Sequence, residues 1–171
     1  ASLTDMAHWL HIPVFSTAGC SDSKVLDQQA GIEAALSIMA AGLSGANLIH
    51  DVGFLESALI ASHEMVVMSD EIIGMVKHFL KGVTVNTDTL AVNVTREVGP
   101  GGNFLTHDHT ARHLREQLWF SKLMDRNRFD IWKAAGALTM GDRVRERVAE
   151  ILAHHQPAKL PGDINKGIDK I

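Results

Sequence analysis

Three consecutive stretches decide the fold: "IPVFSTAG" (Ile12–Gly19), "DSKVLDQQAGIEAALSIMAAGLSG" (Asp22–Gly45) and "ANLIHDVG" (Ala46–Gly53). The first and third are short apolar runs that end in small or polar residues, which is typical of buried strands leading into loops. The second has apolar residues at helical spacing and ends at a glycine, so it predicts a helix. Residues 12–53 therefore predict a β-α-β unit with a right-handed crossover and two parallel strands.

The remainder of the chain predicts helices almost throughout. Asp22 and Ser23 are the expected caps of the first long helix, and "VTV" (Val83–Val85) is too short to predict a strand. The other predicted helices are each bounded by a capping residue, a glycine or a proline: residues 4–11 capped by Thr4, 62–81, 87–98 capped by Thr87 or Asp88, 110–125, 129–135, 139–155, and a short helix after Pro161.

Two parallel strands cannot form a covered sheet by themselves. The chain is therefore expected to be an α/β protein, the C-terminal βα units of a partial (β/α)8 TIM barrel followed by several additional helices. Because a full barrel needs about 250 residues, residues 1–171 are expected to be a single domain that forms the C-terminal portion of a longer enzyme. Such a portion exposes a sheet edge and apolar surface, which predicts self-association into a homo-oligomer, and alone it is expected to lack activity.

Composition excludes several classes of function. The net charge of −4 and the isoelectric point near 6.2 argue against a broad nucleic-acid-binding surface. The longest apolar run is too short and too often interrupted by polar residues to cross a bilayer, and no signal-peptide pattern opens the chain. A single cysteine, Cys20, excludes an internal disulfide framework. These features predict a cytoplasmic protein.

Parallel α/β proteins bind ligands at the carboxyl ends of their strands, so the residues following each predicted strand are the first site candidates. Titratable groups suit chemistry there, and aromatic faces suit a cationic substrate, although Asp51 also fits a loop-anchoring role and a phenylalanine fits the core. No base is obviously paired with the cysteine, which argues against a nucleophilic role. The substrate-binding candidates at this rim are Phe15, Cys20, His50, Asp51, Phe54 and Glu56.

The stretch "EVGPGGNFLTHDHTARH" (Glu97–His113) raises the question of a metal or phosphate site. Its glycines lack the Lys-Ser/Thr ending of a phosphate loop, so a turn between helices is favoured. His109 and His113 are four residues apart, as paired helical zinc ligands are, but the glutamate of H-E-x-x-H is missing and the third ligand is open between Asp108, His107 and a residue elsewhere. Capping and surface histidines are favoured, and no metal site is assigned.

Four segments together resemble one protein family, and the resemblance spans nearly the whole chain. The family is that of trimethylamine methyltransferase (MttB-like) proteins, in its C-terminal half. It implies a (β/α)8 barrel that transfers a methyl group from a methylated amine to the Co(I) of a separate corrinoid protein, with no cofactor bound directly by the enzyme. The segments are "PVFSTAGCSDSKVLDQQAG" (Pro13–Gly31), "GANLIHDVGFLES" (Gly45–Ser57), "DEIIGMVKHFLKG" (Asp70–Gly82) and "REVGPGGNFLTHDHTARHLRE" (Arg96–Glu116).

The resemblance also carries a departure and further site candidates. Archaeal members that act on trimethylamine contain pyrrolysine, which this sequence lacks, and the equivalent position is expected near the Ser16–Cys20 strand end. In this respect the chain resembles members that act on glycine betaine and related quaternary amines. No catalytic residue is assigned, and the candidates for facing the corrinoid protein are Gly101, Gly102, His107 and His109.

Two functions of other classes stay open beside methyl transfer. One is a metal-dependent hydrolase that uses His109, His113 and an acid at the rim. The other is a non-catalytic helical binding module. A quaternary ammonium needs no general base for demethylation, because a neutral amine is already a good leaving group. The lack of an obvious catalytic triad is therefore compatible with corrinoid-dependent methyl transfer.

Overall fold

A computed structural model describes residues 1–161 and residue 164, so the short helix predicted after Pro161 falls almost wholly outside the described residues. Helices make up about half of this part, and the strands are short. The helices are α1 (Ser2–Trp9), α2 (Gln28–Ser44), α3 (His63–Leu80), α4 (Val92–Val98), α5 (Asp108–Gln117), α6 (Phe129–Ala134) and α7 (Met140–His154). The strands are β1 (Phe15–Thr17), β2 (Leu48–His50), β3 (Phe54–Leu55) and β4 (Ile60–Ala61).

The predicted β-α-β unit is confirmed. β1 and β2 pair in parallel, with Thr17 opposite His50, and α2 connects them. Both strands are shorter than the apolar runs that predicted them. The α/β class is thus confirmed at the level of mixed helix and parallel strand, while the described strands form two separate two-stranded sheets rather than a closed barrel.

The start of α2 corrects the predicted cap. The helix begins at Gln28, and its cap is Asp27, whose side chain accepts a hydrogen bond from the backbone N–H of Ala30. This bond and one from the Ser23 hydroxyl lower the pKa of Asp27. Asp22 and Ser23 therefore do not cap the helix, because their side chains organise the loop that precedes it. The predicted end is confirmed, with Gly45 in the left-handed conformation at φ 73°.

A small hairpin was not predicted. β3 and β4 pair antiparallel, with Leu55 opposite Ile60. Strands of two residues are too short to show the alternation of apolar and polar residues by which strands are predicted. The turn between them is strained, because Glu56, Ser57 and Ala58 all adopt positive φ, at 48°, 52° and 69°.

The hydrophobic core lies where α2 packs on α3 and α3 packs on α7. α3 begins after the cap Ser62, whose side chain accepts a bond from the backbone N–H of Met65. The Ser62–Lys81 helix predicted from sequence is thus confirmed, and methionines fill its packed face. The fully or nearly buried apolar side chains include Ala30, Ala34, Ile38, Met65, Met68, Ile72, Val76 and Val144. We call residues 12–80 together with α7 the body.

The two faces of the parallel sheet differ. Side chains alternate across a strand, and Ile49 packs against the core on the α2 side. On the opposite face Phe15 is 68% exposed and Leu48 is 62% exposed. One face of the parallel sheet is therefore covered by α2, and the other presents large apolar side chains to solvent.

Residues 83–118, which we call the arm, depart from the predicted helix boundaries. α4 begins at Val92 rather than at residue 87 or 88, because the Asn86 side chain accepts bonds from the backbone N–H groups of Asp88 and Thr89 and bends the chain into a turn. α4 ends at Val98, immediately before Gly99, as predicted. Within the described part of the chain, neither α4 nor α5 contains a buried residue.

Two further boundaries differ from prediction. α5 ends at Gln117 rather than near residue 125, because Leu118 is extended and the following Trp119 ring lies against Gly74 of α3. A Cβ at Gly74 would lie 2.5 Å from that ring, so this contact requires glycine. α1 begins at Ser2, and Thr4 lies buried inside the helix instead of capping it.

The helices near the carboxyl end agree with prediction. α6 and α7 match the predicted ranges 129–135 and 139–155 within one residue. α7 begins at a capping box in which the Thr139 side chain and the Asp142 side chain each bond the other's backbone N–H. Among the helices of the described residues, none combines the length and apolar character that a membrane span requires.

Candidate functional site

The carboxyl ends of β1 and β2 open into a cavity of about 680 Å³, whose lining includes three carboxylates. Of the rim residues predicted from the sequence, Cys20 and Asp51 line this cavity. The loop after β1 supplies further lining residues, and so does the inner surface of α2. The remaining lining residues are Thr17, Ser21, Asp22, Glu33, Leu36, Ser37, Ser57 and Ala58.

Carboxylates dominate the charge of the cavity. Glu33 accepts bonds from the Ser21 hydroxyl at 2.6 Å and from the backbone N–H of Asp22 at 2.9 Å. The Ser21 hydroxyl and then the Asp22 N–H lower the pKa of Glu33, so this carboxylate is ionised at neutral pH. Asp22 itself accepts a bond from the Ser57 hydroxyl at 2.7 Å. The cavity therefore carries negative charge from Asp22, Glu33 and Asp51.

One cation lies at the edge of the cavity without lining it. Lys24 Nζ donates to the backbone carbonyl of Asp22 at 2.9 Å. The ammonium group is thus held by a peptide oxygen in the loop, and no ion pair in the described residues joins it to a carboxylate of the cavity. The negative charge of the cavity is left available to a bound cation.

Backbone bonds hold the two rim loops together. The N–H of Ser21 donates to the carbonyl of Phe54, and the N–H of Glu56 donates to the carbonyl of Ser23, both at 3.0 Å. Gly19, at φ 78°, donates its N–H to the Ser37 hydroxyl, and a Cβ at this position would lie 2.6 Å from Val52. These hydrogen bonds between the two loops give the cavity a defined shape.

Phe15, His50 and Asp51 form a second group at the same rim. His50 Nδ1 lies 2.7 Å from Asp51 Oδ1, and both side chains are between a third and two-fifths exposed. The rings of Phe15 and His50 lie 5.1 Å apart, tilted by 54°. Asp51 adopts φ 75°, an uncommon conformation for a non-glycine residue. This group places an aromatic pair beside a carboxylate on the exposed face of the sheet.

Phe54 and Glu56, like Phe15 and His50, are not among the residues that line the cavity. Phe54 is half-buried in β3. Its backbone carbonyl accepts a hydrogen bond from the N–H of Ser21 in the rim loop, but its ring does not line the cavity. Glu56 lies in the strained turn, and the neighbouring Ser57 reaches the cavity in its place. Cys20 is a half-buried free thiol, and no hydrogen bond of the described residues pairs it with a basic side chain.

The candidates for facing a corrinoid protein lie in the arm. Gly101 has φ 73° and open space around it, whereas a Cβ at Gly102 would clash with the backbone carbonyl of Val98. His107 caps α5, because its Nδ1 accepts a bond from the backbone N–H of His109 at 3.1 Å. In the described part of the chain, no hydrogen bond or ion pair joins this stretch to the rim.

His109 and His113 are not the surface histidines that the sequence favoured. Their side chains are 13% and 22% exposed, and both rings point to Asp88 in the turn before α4. His113 Nε2 lies 2.8 Å from Asp88 Oδ2, and His109 Nε2 lies 2.8 Å from the backbone oxygen of Asp88. The third group beside the histidines is thus Asp88, rather than Asp108, His107 or an acid at the rim.

Several residues of these two sites were missed from the sequence. The sequence predicts Asp22 as a helix cap and gives Glu33 and Ser37 no role beyond their place in the predicted helix. Glu33 and Ser37 lie four residues apart, on the same side of a helix that follows a strand. This spacing is only a weak signal that both side chains reach the rim. Asp88 is 21 residues from His109, so no spacing rule connects them.

The chain is similar to known proteins along nearly its whole length. The family described as Trimethylamine methyltransferase (MTTB) matches residues 1–170. The chain is 38% identical, over 94% of its length, to a glycine betaine methyltransferase of Desulfitobacterium hafniense (strain Y51). It is 37% identical, over 96% of its length, to the trimethylamine methyltransferase MttB of D. hafniense (strain DSM 10664 / DCB-2). It is 36% identical, over its whole length, to the trimethylamine methyltransferase MttB of Methanosarcina barkeri (strain Fusaro / DSM 804).

These relatives are longer than the chain. It spans about a third of their length, 33% of each Desulfitobacterium protein and 34% of the Methanosarcina protein. The match nevertheless runs through the rim and the arm alike, because it covers nearly every residue. The chain belongs to the trimethylamine methyltransferase (MttB) family.

Proposed function

We propose that the chain is the C-terminal portion of a (β/α)8-barrel methyltransferase. The enzyme would transfer a methyl group from a methylated tertiary or quaternary amine, such as trimethylamine or glycine betaine, to the Co(I) of a cytoplasmic corrinoid protein. The observation that carries the proposal is the carboxylate-lined cavity at the carboxyl ends of β1 and β2, in a chain whose relatives are named methyltransferases of these amines.

The sheet supports the barrel. One face of β1 and β2 packs on α2, as barrel strands pack on their outer helices. The other face exposes Phe15 and Leu48, and in a barrel this face points to the interior, where side chains of the remaining strands cover it. The chain's span of about a third of its relatives leaves ample length for those strands.

The charge of the cavity supports a cationic substrate. A quaternary ammonium has no N–H to donate, so negative charge and aromatic faces are the features by which a protein binds it. Asp22, Glu33 and Asp51 supply the charge, and the Phe15–His50 pair supplies the aromatic faces. These residues bind and orient the methyl donor, and orientation is the main requirement of this reaction.

The transfer balances without a general base when the donor is quaternary. The electron pair of Co(I) forms the new bond to the methyl carbon, and the electron pair of the broken C–N bond leaves on the amine as a neutral product. Co(I) is oxidised to Co(III) in the process. A tertiary donor such as trimethylamine departs as a neutral amine only if its nitrogen is protonated, and carboxylates near the donor favour that protonated form.

The two other candidate functions receive less support. The hydrolase alternative combines His109 and His113 with an acid at the rim, whereas the carboxylate beside these histidines is Asp88 of the arm. A non-catalytic binding module fits poorly with relatives that are named methyltransferases.

In the arm, the exposed stretch from Gly101 to Thr106 is the surface that we assign to the corrinoid protein.

The test is a reconstituted methyl transfer assay on the polypeptide encoded by the complete reading frame. The purified enzyme is mixed with a Co(I) corrinoid protein and, separately, with trimethylamine, glycine betaine and other methylated amines, and the cobalt spectrum is followed. We expect at least one donor to convert Co(I) to methyl-Co(III). No conversion with any donor, while the corrinoid protein still accepts methyl groups from methyl iodide, would contradict the proposal.

A further inference from the structure

We propose that Asp88, His109 and His113 bind one divalent transition-metal ion, of which Zn²⁺ is the best match, and that the ion fastens the turn before α4 to α5. This site lies in the arm. It is separate from the cavity at the rim and does not depend on the proposed methyl transfer.

The three side chains already converge. A ligand atom from each lies within 4.8 Å of the ligand atoms of the other two. His113 Nε2 lies 2.8 Å from one Asp88 carboxylate oxygen, and His109 Nε2 lies 3.6 Å from the other. The imidazole centroids are 4.4 Å apart. Two ligand atoms bound tetrahedrally to zinc at about 2.0–2.2 Å are roughly 3.3 Å apart, so the observed distances bracket the required spacing.

The donor set suits zinc. Two imidazole nitrogens and one carboxylate oxygen are common protein ligands of this ion, and histidines four residues apart on a helix can bind it together. The two imidazoles are mostly buried, whereas Asp88 is 59% exposed. The carboxylate side of the cluster is thus open to solvent, where a water molecule can complete four-coordination.

Neighbouring residues hold the ligands in place before any metal binds. The Asn86 side chain accepts bonds from the N–H groups of Asp88 and Thr89, which fixes the turn that presents the carboxylate. His107 caps α5 through the N–H of His109, which fixes the first turn of the helix that presents the imidazoles. Such supporting bonds reduce the entropy lost when a metal is bound.

The consequence for the arm follows from its lack of a core. In the described residues, α4 and α5 contain no fully buried residue, and isolated helices of their length are marginal in water. The Asp88–histidine contacts join the turn before α4 to α5, and the 3.5 Å contact between Glu97 and His107 joins the end of α4 to the cap of α5. A metal at this point replaces weak exposed polar contacts with coordinate bonds, so it stabilises the arm locally.

The test uses the chain itself, stripped with a chelator, dialysed and titrated with ZnCl₂ by calorimetry. We expect one Zn²⁺ per chain. We also expect Co²⁺, used as a spectroscopic probe at the same site, to give visible ligand-field absorption that Zn²⁺ removes. Hydrogen exchange should slow in residues 83–118 when Zn²⁺ is added and stay unchanged in α3. Failure to bind Zn²⁺ stoichiometrically would overturn the proposal.

Variants locate the site. Asp88→Asn and His113→Ala should each weaken Zn²⁺ binding by about tenfold or more. His155→Ala, which removes an exposed histidine beyond α7, is the matched control and should leave binding unchanged. Stoichiometric binding that survives both Asp88→Asn and His113→Ala would place the ion elsewhere and overturn the assignment. Because these residues lie outside the core, circular dichroism should confirm that each variant is folded.

Discussion

The body and the arm are stabilised in different ways. In the body, α2, α3 and α7 bury methyl and methylene groups against one another, and Met65 and Val144 are fully buried. In the arm, polar contacts hold the chain: Asn86 shapes a turn, His107 caps a helix, and Asp88 contacts two histidines. The body therefore derives its stability from buried apolar area, whereas the arm depends on a few directional polar contacts.

The largest expected effect comes from removing apolar volume in the body. Met65→Ala should lower the free energy of unfolding by about 2–5 kcal/mol, because the side chain is fully buried and leaves a cavity among packed helices. Urea denaturation measures it. Met6→Ala, at a position 62% exposed, is the control and should change stability little. Equal effects of the two variants would contradict the description of the body as the packed part.

A smaller effect is expected where a buried carboxylate links the body to the segment that follows the arm. Glu71 is 6% exposed and accepts bonds from the Ser121 hydroxyl at 2.5 Å and the Lys122 N–H at 3.1 Å. Glu71→Ala leaves those donors without a partner and should cost about 1–3 kcal/mol in thermal or urea unfolding. Glu146→Ala, on the exposed side of α7, should cost much less.

The capping box of α7 predicts a third, pH-dependent effect. Thr139→Ala should cost about 1 kcal/mol at neutral pH, while Thr106→Ala in the arm serves as the control. The Thr139 hydroxyl is the main cause that lowers the pKa of Asp142 from 3.8 to about 2. A lowered pKa stabilises the fold above pH 3.8, and this contribution is lost as the pH falls from 3.8 to 2.

The acid titration supplies the check on that assignment. Unfolding of the wild type and of Thr139→Ala is measured at neutral pH and at several values down to pH 2. The difference between the two proteins should shrink as Asp142 becomes protonated. A difference that stays constant over this range would show that the Thr139–Asp142 contact does not depend on the ionised carboxylate.

The smallest effect on global stability is expected in the arm. Asp88→Asn in the metal-free chain should change the free energy of unfolding by less than about 1 kcal/mol, because the Asp88 side chain is 59% exposed and its contacts lie outside the hydrophobic core. Hydrogen exchange should nevertheless accelerate in residues 83–118. A loss of stability as large as that of Met65→Ala would remove the distinction between the body and the arm.

The sequence predicted the body well because helical periodicity and buried strands are local signals. The pattern of residues 12–53 predicted a parallel β-α-β unit, and Ser62 predicted the start of α3. The cap of α2 was misplaced because Asp22, Ser23 and Asp27 are all good caps, and only the loop geometry selects the third. The hairpin at Phe54 was missed because two-residue strands carry no periodicity.

The candidate sites were predicted less completely, because they depend on contacts between distant residues. Cys20 and Asp51 were found from their positions after strands, which is a rule of parallel α/β topology. Glu33 was missed because a carboxylate on a helix usually faces solvent, and its role appears only when Ser21 folds back onto it. Asp88 was missed because nothing in its neighbourhood distinguishes it from other turn residues.

The role of the rim in binding the methyl donor is tested most directly by the steady-state kinetics of methyl transfer to Co(I). The variant Asp51→Asn is compared with Asp130→Asn in the complete enzyme. Asp130 is an exposed carboxylate paired with Arg128, and it does not line the cavity. We predict that Asp51→Asn lowers kcat/KM by about tenfold or more, mainly through KM for a quaternary amine, because it removes negative charge from the cation-binding cavity. Asp130→Asn should leave kcat/KM unchanged. Equal rates for the wild type and Asp51→Asn, with every methylated amine that reacts, would contradict the claim that this rim binds the methyl donor.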